Sequence, residues 1–312
     1  PAPPPAKVES AAKKTEAPAA APAAALPPLP TPPKSLGDIK IPKDNPLTAA
    51  KAELGHQLFF DKRLSVDGSM SCYSCHQNED GTGGHDPLAI GPKGVKLKRH
   101  ALTLWNVAYL PRLDWDGRAE SLEAQMTGAW ASVMGVGKEN LRAKAKEIAA
   151  VPAYKKEFDD VFPGDGVSPE TISMAVASYE RTLFCGDTKF DKFNAGDQSA
   201  LSDEQKKGWK LFTGKAGCYN CHTPPFFSDA YTTELGTYHN TGMGEEGTKD
   251  ADVDVGRMKV TENASDWAAF KTPSLRNITK SAPYFHNGSR AKVEDAAHFM
   301  AGGGFKNKNR DP

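Results

Sequence analysis

The chain has 312 residues, a length that suits two modest domains better than one. Apolar residues make up 38%, enough for ordinary globular cores, and acidic and basic residues balance at 39 each. There is no polybasic stretch and no apolar run near the roughly 20 residues that cross a bilayer, so nothing points to nucleic acid, an anionic membrane or a membrane span.

From Pro1 to about Lys34 the chain is mostly Pro and Ala. Such a segment buries too little apolar surface to offset its ordering entropy, so residues 1–38 are expected to form an extended, disordered tether. The first residue is Pro rather than Met, as if a leader had been removed or the start trimmed. A helix is expected from about Pro46, where Leu47, Leu54 and Leu58 fall at helical spacing and Asn45 and Pro46 resemble an N-cap and a first-turn proline. Gly55-His56-Gln57-Leu58-Phe59 ends it, and Cys72-Tyr73-Ser74-Cys75-His76 follows after a short loop. Glu139 to Phe158 and Pro169 to Leu183 read as further helices, separated by the breaker cluster Phe162-Pro163-Gly164-Asp165-Gly166. Cys185, the one cysteine outside a motif, reads as a small buried hydrophobe. Past a boundary near Phe193 to Gln198 the pattern repeats. Ser202-Asp203-Glu204 caps a helix with an acidic first turn, Gly208-Trp209-Lys210-Leu211-Phe212 ends it, and Cys218-Tyr219-Asn220-Cys221-His222 follows.

Cys-x-x-Cys-His is the signature of covalent c-type haem attachment. Two thiols form thioether links to the porphyrin edge, and the adjacent His binds the iron from below. A structural zinc site would instead pair the two motifs into one tetrahedral cage. Here each motif has its own His and its own preceding helix, so two covalent haem c groups are expected, on Cys72, Cys75 and His76 and on Cys218, Cys221 and His222. The predicted fold is mainly α, with two cytochrome c-like haem domains, residues 39–193 and 194–312, behind the tether. The second ends on Gly302-Gly303-Gly304-Phe305 and a polar run with no closing helix, and is expected to be shortened at its C-terminus. Attachment of this kind implies the periplasm or an equivalent oxidising compartment, with the tether a route to a membrane anchor. The second axial ligand of each iron decides function: a Met favours electron transfer, an open position favours peroxide chemistry. For the C-terminal haem the candidates are Met243, Met258, His286, His298 and Met300, and for the N-terminal haem His85 and His100.

Further motifs carry a resemblance. They are Leu58-Phe59-Phe60-Asp61-Lys62-Arg63-Leu64-Ser65, Trp115-Asp116-Gly117-Arg118, Ser121-Leu122-Glu123-Ala124-Gln125, Thr272-Pro273-Ser274-Leu275-Arg276-Asn277 and Ala282-Pro283-Tyr284-Phe285-His286-Asn287-Gly288. With the two haem motifs they resemble the bacterial dihaem cytochrome c peroxidases and their tryptophan-modifying relatives, from about Pro46 to Gly303. The resemblance implies that His76 is the proximal ligand of a low-potential haem where peroxide reacts, and His222 that of a high-potential haem. It implies Met300 as the other ligand of the latter, where the tryptophan-modifying relatives carry Tyr. It implies Trp115 as a relay between the haems and Gln125 as a residue of the peroxide pocket.

Three departures from the family pattern matter. Where members that need reductive activation carry a loop His just after Ile-Gly, Ile90-Gly91 is followed by Pro92, so an open N-terminal haem is expected, with His85 the alternative ligand. Val133 stands where the family has a distal glutamate, which leaves His100 or another group as the candidate catalytic base. His100 also stands where the family has a calcium-binding Asn; His is a poor ligand for that hard cation, which puts a calcium held with the Ser281 and Pro283 carbonyls in doubt. The leading expectation is a periplasmic peroxidase that takes hydrogen peroxide as substrate and electrons from a small cytochrome c or cupredoxin, and that forms homodimers as the family often does. The alternative is an enzyme that oxidises tryptophan or tyrosine of a partner protein. A pure electron carrier would need both irons six-coordinate.

Overall fold

A computed structural model describes residues 26–311; the expected tether lies mostly outside the described residues. The fold is mainly helical. In chain order the helices are α1 (Ala49–Phe60), α2 (Leu122–Ser132), α3 (Leu141–Ala149), α4 (Pro152–Val161), α5 (Pro169–Glu180), α6 (Lys189–Asn194), α7 (Asp203–Thr213), α8 (Met258–Thr261) and α9 (Val293–Ala301). Strands β1 (Tyr238–His239) and β2 (Phe270–Lys271) pair antiparallel, Tyr238 opposite Lys271. Among the described residues no helix is long and apolar enough to cross a membrane.

The main core lies where α1 crosses α5 and α5 packs against α2. Leu54, Leu58, Phe59, Trp130, Ile172 and Val176 are essentially fully buried there, with Ile148 of α3 and Phe158 of α4 closing one side. The crossing needs Gly55. A Cβ at that position would stand 1.9 Å from the Ala175 carbonyl oxygen, so only a residue without one lets the two backbones approach. Gly208 holds the matching place in α7, and a Cβ there would meet nothing within 4 Å. The glycine of the second copy is therefore not under the same packing demand among the described residues.

Local signals explain most helix ends. Ser168 caps α5 and Ser202 caps α7, each side-chain oxygen accepting the N–H three residues on. Two expectations are corrected. Helix α1 begins at Ala49 with Thr48 as its cap, because Asn45 is buried and gives its amide to Glu123 and to the Met174 carbonyl. The single helix expected over Glu139 to Phe158 is two, because Pro152 has no N–H to continue α3 and starts α4 at its first position.

A repeat longer than the haem motifs organises the chain. Asn106 and Asn277 both take a left-handed backbone and open a 3-10 turn. Asp114 and Phe285 are left-handed as well, and Gly117 and Gly288 also have positive φ. The isolated bridges Leu113–Ala119 and Tyr284–Arg290 close the same loop in each copy, and α2 and α9 follow. The copies pair reciprocally. The His100 N–H donates to the His286 carbonyl at 2.7 Å, and the Lys271 N–H to the Trp115 carbonyl at 2.8 Å. Trp115 and His286 occupy equivalent places in the two copies, as do His100 and Lys271, so this is an isologous contact about a pseudo-two-fold axis.

Candidate active site

Each Cys motif opens a single 3-10 turn, Cys72–Ser74 and Cys218–Asn220. In each the His N–H bonds back to the first Cys carbonyl, at 3.1 and 3.0 Å. The imidazoles are then fixed from the far side. His76 Nδ1 donates to the Thr82 carbonyl at 3.0 Å, and His222 Nδ1 to the Phe227 carbonyl at 2.8 Å. A carbonyl only accepts, so the proton is on Nδ1 and Nε2 is bare, the form that binds a metal. Burial pushes both imidazoles below their ordinary value, which keeps them neutral. All the cysteines are unpaired.

A cavity of 1290 Å³ opens beside the first motif, lined by Cys72, Cys75 and His76. Ordinary small-molecule pockets hold about 300–1,000 Å³. A cavity larger than these, with two thiols and an Nε2 imidazole on its wall, fits a tetrapyrrole held by thioethers and a proximal His. The second motif offers the same donor set in the same turn.

Several expected residues meet on this cavity. Gln125 of α2 lines it and donates from Nε2 to Asp114 Oδ1 at 3.4 Å; Ala129 and Val133 lie on the same wall. His100 is buried and also lines it, with Nδ1 donating to the Asp86 carbonyl at 2.9 Å, so Nε2 is again the bare nitrogen; burial lowers its pKa. The loop after His100 holds the His76 loop, through Thr103 Oγ1 to the Gly81 carbonyl and the Leu104 N–H to Thr82 Oγ1. His85 is not among the lining residues. Its side chain is half exposed, between Asp80 at 3.3 Å and Asp86 at 3.4 Å. Trp115 is buried on the cavity wall and donates from Nε1 to the His100 carbonyl at 2.8 Å. Its ring meets His286 edge-on at 6.3 Å, so one indole touches both copies.

Among the C-terminal candidates, Met243 is buried with its sulfur 3.1 Å from Ser289 Oγ, and His286 stacks on Phe270 at 3.7 Å. Met300 is 41% exposed on α9, beside Phe299, which packs edge-on to Phe285. His298 is exposed on the same helix, and Met258 begins α8. Beside the second motif His239 sits between Asp229, 2.7 Å away, and Asp311; Asp229 above all pushes its pKa up to about 11, so it stays cationic. Cys185, expected to be buried, is half-buried, its N–H held by Asn106 Oδ1.

Two features were not expected from the sequence. Arg276 and Asp191 form a buried two-bonded pair, at 2.6 and 3.0 Å, that joins α6 to the segment after β2. Glu180 ends α5 buried on the cavity wall. A signal for Glu180 was present, since it continues the apolar stripe of Ile172, Ala175 and Val176 at helical spacing and so puts a carboxyl in a core position.

Known proteins with this pattern agree. Residues 49–199 match the di-haem cytochrome c peroxidase family. The chain is 38% identical to the cytochrome-c peroxidase IdrP1 of Denitromonas iodatirespirans, over 94% of this chain and 83% of that protein. It is 36% identical to the methylamine utilization protein MauG of Methylorubrum extorquens, over 84% of this chain and 72% of that one. Its fold matches the crystal structure of a MauG-like protein associated with microbial copper homeostasis with a TM-score of 0.78 and 31% identity, over 90% of this chain and 84% of that one. The chain therefore belongs to the dihaem cytochrome c peroxidase family, whose members are c-type haem oxidoreductases.

Proposed function

We propose that this chain reduces hydrogen peroxide at its N-terminal site with electrons from a small cytochrome c or cupredoxin received at its C-terminal site. The observation that carries this reading is the pair of motif histidines, each with Nδ1 anchored and Nε2 bare, with Trp115 touching both copies. When bound, the haems supply the redox chemistry. Cys72 and Cys75 hold one by thioethers and Cys218 and Cys221 the other, one in each of the domains 39–193 and 194–312. His76 and His222 offer Nε2 to the metal.

One difference within the repeat bears on which site is open. Met300 and Ala129 are each the eighth residue of their helices, α9 and α2. A thioether there can close the second site, whereas the Ala129 methyl has no lone pair to give and leaves the first open to peroxide. Gln125 and His100 then supply polar atoms on the peroxide side chain wall, and Trp115 passes electrons between the copies. Thioether attachment is made outside the bacterial cytoplasm, so the protein works in the periplasm, with residues 1–38 as its tether.

The fully oxidised protein is expected to show one high-spin and one low-spin ferric signal by electron paramagnetic resonance, and to oxidise reduced donor when peroxide is added. Met300→Leu should lower the potential of the low-spin haem or turn it high-spin. Two low-spin signals, an unchanged potential in the variant, or no donor oxidation would each overturn the corresponding part.

One observation favours a second reading, oxidation of tryptophan or tyrosine in a partner protein. The Ile90–Lys96 loop is closed on itself by its bridge and by the Gly91 N–H to the Val95 carbonyl, and it carries no imidazole. A site open without prior reduction suits an enzyme that stores oxidising equivalents.

A further inference from the structure

The carboxyl groups on the cavity wall are Asp114, Asp116, Glu180, Asp252 and Asp254. Asp116 and Asp254 are both tied to Arg99 at 2.6 Å, and Asp114 is tied to Arg118 at 3.0 Å and to Gln125. Asp252 is exposed. Glu180 is different: it is 5% exposed, lines the cavity, and its Oε2 is buried with no hydrogen-bond partner among the described residues. Its neighbour Arg181 is engaged elsewhere, with Glu123 of α2 at 2.7 Å. A buried carboxyl left without a partner costs free energy and persists where the site uses it.

We infer that Glu180 is the acid–base group of the peroxide site, the role for which Val133 has no chemistry. This deepens the peroxidase reading and rests on it. Burial first, then the nearby Glu123 and Asp114 carboxylates against the pull of Arg181, push its pKa up to about 8, so it is a neutral acid at neutral pH. The other titratable groups facing it are Tyr179 on its own helix and Cys72, whose sulfur the thioether occupies. A neutral carboxyl has one oxygen that accepts and one that donates. With the haem in place, Glu180 would take a proton from one peroxide oxygen and give its own to the other as the O–O bond breaks. Two electrons from the donor protein and two protons from solvent would balance the reduction of one peroxide to two waters. His100 is the weaker candidate, because it is fixed on the loop that holds His76.

Glu180→Gln keeps the shape and removes the titrating proton. In the haem-loaded protein we expect peroxide to react with the ferric N-terminal site roughly a hundredfold more slowly at pH 7. Cyanide, which must shed a proton to bind, should associate more slowly by a similar factor. Infrared difference spectra of the wild type on cyanide binding should show a carboxylic acid C=O band that Glu180→Gln lacks. Wild-type peroxide and cyanide rates in the variant would overturn the assignment. So would a wild-type difference spectrum without a carboxylic acid band, a readout that stands even if the variant fails to fold. A wild-type protein that shows the band and binds cyanide but oxidises no donor would sink the peroxidase reading and leave the role of Glu180 intact.

Discussion

Trp115→Phe is expected to slow turnover with reduced donor by about tenfold or more, equivalent to about 1.4 kcal/mol on the barrier. In the proposed relay the indole passes charge between the two sites, and a phenyl ring is much harder to oxidise. The variant should keep both haems, and peroxide should still react at the first site at its normal rate, because Trp115 is bound to the protein through the His100 and Lys271 backbones rather than to His76. A purely structural Trp would behave otherwise. Losing the Nε1–H bond to the His100 carbonyl and part of the buried ring lowers stability by about 1–2 kcal/mol without touching electron transfer. Rapid mixing of the half-reduced variant with peroxide separates the two. If the melting temperature falls while charge moves between the sites at the wild-type rate, the indole is scaffold.

Asp191→Asn or Arg276→Leu is expected to destabilise the protein by about 3–5 kcal/mol, because each leaves a buried charge unpaired. The two side chains are 5% and 3% exposed. Burial alone would raise the pKa of Asp191, but Arg276 and the Thr188 backbone and hydroxyl outweigh it and hold the carboxyl below its usual 3.8. The folded pKa being depressed, the pair's contribution is complete above the ordinary carboxylate value and is lost as the pH falls below it. Arg276 also donates from Nε to the Pro225 carbonyl at 2.6 Å and lies over the Phe227 ring, whose carbonyl anchors His222. Either variant should therefore also shift the spectrum or potential of the C-terminal haem. Thermal melts against pH, with redox titration of the folded fraction, check both effects. A loss under 1 kcal/mol, or a potential that does not move, would show that the pair is dispensable to the second site.

What the sequence made legible was what lies within a few residues. The two Cys-x-x-Cys-His turns, the Ser202 cap and the start of α5 at Pro169 all follow from neighbours in the chain. The start of α1 is not legible locally, because Asn45 looks like a cap, yet its amide is committed to Glu123 and Met174, far away in sequence. Pro152 was a local signal passed over. Helical spacing puts the Glu180 carboxyl in the core but does not show that it lacks a partner, and the Arg276–Asp191 pair joins segments far apart in sequence, so its meaning lies in what surrounds it once the helices pack. The second half of the repeat was hidden differently. Trp115 and His286, or Ala129 and Met300, share a position but little chemistry, and the backbone is what reveals their equivalence.

The reciprocal bonds of His100 to His286 and Lys271 to Trp115 constrain how the two halves can diverge. A residue on a symmetry axis has neighbours in both halves, so a change there disturbs both haem sites at once. A residue remote from the axis belongs to one half, and can drift without consulting its twin. A difference that would make the proposed first site reactive and the second conductive is accordingly expected away from the shared seam, as at Ala129 and Met300. With Met300 as the proposed ligand of the second site, one off-axis difference, a thioether in one copy against the Ala129 methyl in the other, is enough to break their equivalence. Placing a thioether there by Ala129→Met, with the seam untouched, should therefore make the proposed sites alike: both closed, still conducting to each other, and without peroxide turnover.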